Sequence, residues 1–185
     1  MNTQALEIDV IIEDGQVCPL EHEELRIAGE LCLQELAIER ACCLSVSVVG
    51  ATTIQALNLE WRQIDAPTDV LSFACDSPFD EDIPCNEVLE LGDIVLAPEI
   101  IAAQAPQFDT SFEDEFRLMF VHGLLHILGF DHLNESDACI MEAHELAVLQ
   151  SLARWRGDDP SSVLIGPTTH HEDEYLQLKR LREQL

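Results

Sequence analysis

The twelve residues VHGLLHILGFDH, Val121 to His132, leave a chain few ways to fold. Three of its seven histidines fall inside them, wrapped in Leu, Ile, Phe and Gly. Such a stretch reads as a buried helix, and a buried imidazole needs a partner for its ring nitrogens. His122 and His126 are four apart, so on a helix they share one face, one turn above the other. Gly129 is placed to end that helix by taking a positive φ, which turns the chain sharply. The turn brings His132 back toward the same point. HxxxHxxGxxH is therefore one helix, one stop and one returning arm.

Three neutral imidazole nitrogens at about 2.0–2.1 Å, with a fourth tetrahedral position open to water, describe a catalytic zinc site. Such a metal would bring the pKa of the water toward about 7. One zinc per chain, on His122, His126 and His132, is the expectation. A zinc metalloprotease of the HExxH kind carries Glu after its first histidine as the general base. Here that position is Gly123, which makes peptide hydrolysis the weaker reading.

The remaining sequence alternates between strand and helix patterns. Leu6, Ile8, Val10 and Ile12 alternate as a strand, and Leu44, Val46 and Val48 do so again. Between them Leu25, Ala28, Leu31, Cys32 and Leu36 lie at helical spacing, in a helix drawn through Arg40. A short helix through Ile54, Leu57 and Leu59 is expected to be capped by Thr52 or Thr53. PTDVLSFA and LGDIVLAP are two short β-rich runs, and Pro98 opens another helix. Thr110 and Glu113 have capping-box spacing ahead of the apolar run to Leu128. A long helix runs from about Ser136 to Arg156, and EDEYLQLKRLREQL reads as a separate terminal helix or tail. These elements predict an α+β fold, a small mixed sheet of about four strands packed with about five helices. Residues 1–156 form the expected single metal-hydrolase domain, and 157–185 a C-terminal extension.

With 36 acids against nine Lys and Arg, the net charge is −27. Positions 63 to 116 hold no Lys or Arg at all. Such a field repels phosphate backbones and anionic membranes, so composition alone speaks against a nucleic-acid partner. Seven cysteines without a CxxC pair argue against a disulfide scaffold and for a reducing cytoplasm. No apolar run approaches the roughly 20 residues of a membrane span.

Three blocks nevertheless resemble one family. HGLLHILGFDH is similar to the HGxLHLxGxDH signature of the YbeY proteins, bacterial endoribonucleases of ribosome maturation. LNLEWRQIDAPTDVLSF, Leu57 to Phe73, resembles that family's second block, and LGDIVLAPE, Leu91 to Glu99, its third. The blocks lie in the family's order, and the similarity runs from about residue 5 to about 155. The resemblance implies zinc on the three histidines and a functional arginine at Arg62. It implies hydrolysis of single-stranded RNA by metal-activated water, in small-subunit rRNA 3′-end maturation and ribosome quality control. Arg62 suits that chemistry, since a guanidinium can bind phosphate and stabilise charge developing on it; pairing with Glu60 or Asp65 is the alternative. Asp131 is the further candidate, either orienting an imidazole, accepting a proton or capping the turn.

An RNA enzyme of charge −27 must be recruited by local positive features, by Lys179, Arg180 and Arg182, or by a ribosomal protein. Single-stranded rRNA and ribosomal particles are the expected partners. Two other classes stay open: a ribosome-assembly factor whose zinc is structural, and a zinc hydrolase of another substrate.

Overall fold

In the computed structural model, which describes residues 6–84 and 86–165, the strands β1 (Leu6–Ile12), β2 (Cys42–Val48), β3 (Val70–Ala74) and β4 (Leu89–Leu96) form one sheet. Its order is β1-β2-β4-β3. β1 and β2 run parallel, β2 and β4 run parallel, and β3 closes the edge antiparallel to β4. Five helices accompany the sheet: α1 (His22–Glu35), α2 (Ala51–Arg62), α3 (Pro98–Gln104), α4 (Phe112–Ile127) and α5 (Glu135–Arg156). The α+β class, the mixed four-stranded sheet and the five helices agree with the sequence expectation. Among the described residues no helix is long and apolar enough to cross a membrane.

Alternation along the strands sorts the two faces of the sheet. Leu6, Ile8, Leu44, Val46, Val48, Ile94 and Leu96 enter the main core with α1, α4 and α5. On the other face Leu71 and Val95 meet Ile54 of α2 in a smaller core completed by Val49 and Ala97. That second layer covers the β3–β4 half only. Glu7 and Asp9 of β1 stay exposed on their face.

α4 is the central helix. Twelve of its sixteen residues are buried, so it carries almost no polar outer stripe. Phe116, Phe120 and Leu124 are fully enclosed, each worth roughly 1.5–3 kcal/mol by removal from water. Gly123 is where α4 presses on the sheet. A Cβ there would stand 3.0 Å from Ser72 Oγ, 3.1 Å from Val70 Cγ2 and 3.2 Å from Ile94 Cγ2.

Several helix ends differ from expectation by local chemistry. α4 is capped by Ser111, whose Oγ accepts from the Asp114 amide at 3.1 Å. Thr110 is instead occupied with Glu115, donating its hydroxyl to Oε2 at 2.7 Å. α2 starts behind Gly50 without a side-chain cap. Glu13 takes over that role, accepting from the Gly50 amide at 2.8 Å and from Thr53 Oγ1 at 2.9 Å. Of the apolar residues that marked α2, Ile54 is buried and Leu59 exposed. α1 stops at Glu35, five residues before Arg40, because Ala37 takes a positive φ of 53°. α5 begins at Glu135 behind Asn134, whose Oδ1 accepts from the Asp137 amide.

Beyond α5 a 3₁₀ turn, Pro160–Ser162, follows Gly157, and Val163 and Ile165 rest against the main core. The tail read from EDEYLQLKRLREQL, with Lys179, Arg180 and Arg182, lies outside the described residues.

Candidate metal centre

The C-terminus of α4 explains how the three histidines meet. Leu128 caps the helix, and Gly129 follows at φ 94°. The Gly129 amide donates to His126 O and the Phe130 amide to Leu125 O, both at 3.0 Å. This is the Schellman arrangement, with glycine at the left-handed position where other residues carry a steric penalty. The chain turns back there and delivers His132 beside His122 and His126. One ligating atom from each of the three lies within 4.8 Å of the others. The ring centroids stand 4.5, 4.9 and 5.3 Å apart.

The far side of two rings is already committed. His126 Nδ1–H donates to Phe130 O at 3.0 Å, and a carbonyl can only accept. His122 Nδ1–H donates to Glu145 Oε1 of α5 at 2.8 Å. In the neutral rings this leaves lone pairs on both Nε2 atoms, which face each other at 3.0 Å. Two opposed lone pairs repel unless an electrophile sits between them. Ligands of a tetrahedral zinc ion are about 3.3 Å apart at the usual bond length. The donor set therefore fits a divalent cation of the imidazole-loving kind. Burial first, then the neighbouring rings of His122 and His132, hold His126 well below the usual imidazole range, at about 4. It is neutral at pH 7 and able to ligate.

Glu145 escaped the sequence reading. It is 0% exposed, and it shares the buried face of α5 with Met141, Val148 and Leu149. A carboxylate at a core register is the signal that could have found it. Its neighbour His144 is ordinary by comparison, pairing at the surface with Glu35 Oε1 at 3.1 Å. Met141 is core, and His22 donates to or accepts nothing near the site, its Nε2 lying 3.0 Å from Ile8 O. His170 and His171 lie outside the described residues.

The histidines open into a cleft of about 900 Å³, and Arg62 and Asp131 line the same cleft. Arg62 ends α2, where a cation also suits the helix dipole. Among the described residues it forms no ion pair: Asp65 accepts instead from Gln55 Nε2 at 2.8 Å. Asn58, one turn earlier and buried, donates to Ala66 O at 2.8 Å and ties down the loop behind Arg62. Asp131 Oδ1 accepts from the amide of the next residue, His132, at 2.7 Å. Asp69 is structural, receiving Val70 N, Thr68 Oγ1 and Gln104 Nε2. Glu115 is a second buried carboxylate on the cleft wall that sequence reading passed over.

Comparison with known proteins places these features. Residues 17–153 match the family model described as Endoribonuclease YbeY. A protein of that name from Fusobacterium nucleatum subsp. nucleatum is 39% identical over 149 residues, spanning 80% of this chain and 87% of its own. Another, from Legionella pneumophila, is 32% identical over 145 residues, spanning 78% and 89%. A third, from Paramagnetospirillum magneticum, is 44% identical over 119 residues, spanning 63% and 70%. Among solved structures, the solution structure of TM1509 from Thermotoga maritima aligns with a TM-score of 0.53 at 23% identity. That alignment covers 90% of this chain and 100% of the other, and it supports the fold.

Proposed function

The chain belongs to the YbeY endoribonuclease family, and on that premise we propose that it is a zinc-dependent hydrolase of single-stranded RNA. The observation that carries the reading is one cleft holding three facing imidazoles and an arginine with no ion-pair partner among the described residues. A zinc ion on His122, His126 and His132 would supply Lewis acidity and a water of lowered pKa, near about 7. Glu145 and the Phe130 carbonyl hold the first two rings in the tautomer that presents Nε2. Arg62 binds a non-bridging phosphate oxygen pair and stabilises the charge that grows there as the phosphodiester opens. Asp131, at the cleft rim beside the third ligand, is the candidate proton acceptor, with Oδ2 left over from its turn contact.

The substrate we assign is single-stranded rRNA in ribosomal particles, with a role in small-subunit 3′-end maturation and ribosome quality control in the cytoplasm. Residues 1–156 carry this activity, with 157–185 as an extension. The charge of −27 favours one second reading, a particle-bound assembly factor whose zinc is structural, since so acidic a chain gains little from free RNA. Gly123 speaks against a peptidase, which would carry its general base there; even a Cβ at that position would crowd Ser72, Val70 and Ile94 of the sheet at 3.0–3.2 Å.

The test compares metal-loaded wild type, Arg62→Ala and His126→Ala on single-stranded RNA. Arg62→Ala should lose about a hundredfold or more in rate while keeping one zinc per chain. His126→Ala should lose both the zinc and the cleavage. Equal activity in all three would assign the cleavage to a contaminant and sink the enzyme reading. Wild type that binds zinc and particles but never cleaves would establish the assembly factor.

A further inference from the structure

The cleft poses an electrostatic problem that its own walls answer. Arg62 is the one Lys or Arg among the described residues lining it, whereas Asp69, Glu115 and Asp131 line it as acids. Counterion release, the usual source of affinity for a polyanion, is therefore nearly absent here. Within the cleft, an interaction indifferent to net charge would add affinity that its charges do not.

Trp61 supplies one. It immediately precedes Arg62 on the last turn of α2, lines the same cleft, and is 63% exposed. Trp61 continues the buried stripe of α2, three residues after Asn58 and seven after Ile54, but at the end of the helix where the sheet no longer covers it. Phe73 of β3 braces it, with ring centroids 5.7 Å apart and planes inclined at 66°. That edge-to-face contact fixes the indole without covering it. Successive residues on a helix diverge by about 100°, so the indole and the guanidinium present two separate points of one wall.

We propose that Trp61, braced by Phe73, is a stacking platform for one unpaired nucleobase of the RNA whose phosphate Arg62 holds. The proposal rests on the reading of this cleft as an RNA-cleaving site. Stacking on an aromatic face is tolerant of base identity and insensitive to salt, because every base has a π-face. It also selects for single strands, since a paired base is already stacked within its duplex.

The zinc-loaded full chain carrying Trp155→Phe leaves Trp61 as the sole indole, because the chain has two tryptophans. A short phosphorothioate RNA, resistant to hydrolysis, should quench its fluorescence saturably. The same oligomer made abasic should bind about tenfold more weakly, the loss of one stacked base, and should not quench. With cleavable RNA, Trp61→Ala should raise KM about tenfold at nearly constant kcat. Trp61→Phe should restore most of it. Abasic and normal oligomers binding equally would overturn the platform, as would Trp61→Ala with an unchanged KM; the exposed indole would then be a contact for a protein partner. Failure of the cleavage reading looks different. Wild type would not cut RNA at all, while quenching and base discrimination by the phosphorothioate oligomer would still decide the platform.

Discussion

Helix α4 carries His122 and His126 on a largely buried helix whose Phe116, Phe120 and Leu124 are fully enclosed. Helix α2 carries Trp61 and Arg62 on an exposed last turn, above a core of five buried residues. The two sides of one cleft are thus held by opposite means. On α4 each committed imidazole has a fixed partner behind it, Glu145 or the Phe130 carbonyl. On α2 the arginine is left without an ion pair among the described residues. A metal ligand must be held within tenths of an ångström, so rigidity serves it. A group that must meet a large, variable polymer gains from staying solvated and unengaged until the polymer arrives.

The contrast can be broken most forcefully at Gly123. Gly123→Glu drives a charged side chain between α4 and the sheet, combining overpacking with an unpaired buried charge. It should cost at least about 4 kcal/mol, read as a fall in the urea midpoint, and should confer no peptidase activity. A well-folded Gly123→Glu would show that α4 is not pressed on the sheet as described. Next in size is Glu145→Gln, which keeps the shape but weakens the hydrogen bond behind His122. Zinc affinity should fall about 10- to 100-fold, measured by competition with a chromophoric chelator, with little change in KM for RNA. An unchanged zinc affinity would mean that α5 merely packs against the ligand helix.

A smaller effect follows from His126. Its folded pKa is lowered from the ordinary imidazole value to about 4, so the unfolded chain binds more protons between those limits. By linkage the metal-free protein should lose stability as pH falls from about 6.5 toward about 4, with no further loss from this group below that. Comparing urea unfolding of wild type and His126→Asn isolates the effect from the many carboxylates. The variant should gain on wild type as pH drops, and parallel curves would reject the assignment. Smallest of all is the effect of Arg62→Ala on stability, expected within about 0.5 kcal/mol with the zinc content untouched. A clear fall in melting temperature would show that α2 depends on this arginine and would erase the contrast with α4.

What could be read from the chain beforehand follows the range of the interaction. The HxxxHxxGxxH spacing was legible because helix period and the glycine stop are local properties, and the structure brings the three rings together. The cap of α4 was legible to within a residue, whereas that of α2, expected at Thr52 or Thr53, falls at Gly50. Thr110 and Ser111 are neighbouring hydroxyls, and only the capture of Thr110 by Glu115 decides between them. The end of α1 was not legible, because Ala37 rather than glycine takes the left-handed position. The sheet order β1-β2-β4-β3 depends on strands meeting across long separations, which periodicity does not encode. Glu145 was hidden for the same reason, since its partner His122 lies 23 residues away and on another helix. Trp61 was readable as a letter beside Arg62, but its exposure and its bracing by Phe73 exist only in the fold.

Phe130 works in two places at once. Its amide closes the last turn of α4 on Leu125 O, and its carbonyl holds the ring of His126. One residue thus ties the helix end to the orientation of the His126 ring. Were that turn to fray, the ring of His126 would lose its acceptor along with the helix end, so for an ion held there the glycine-led stop would act as a latch.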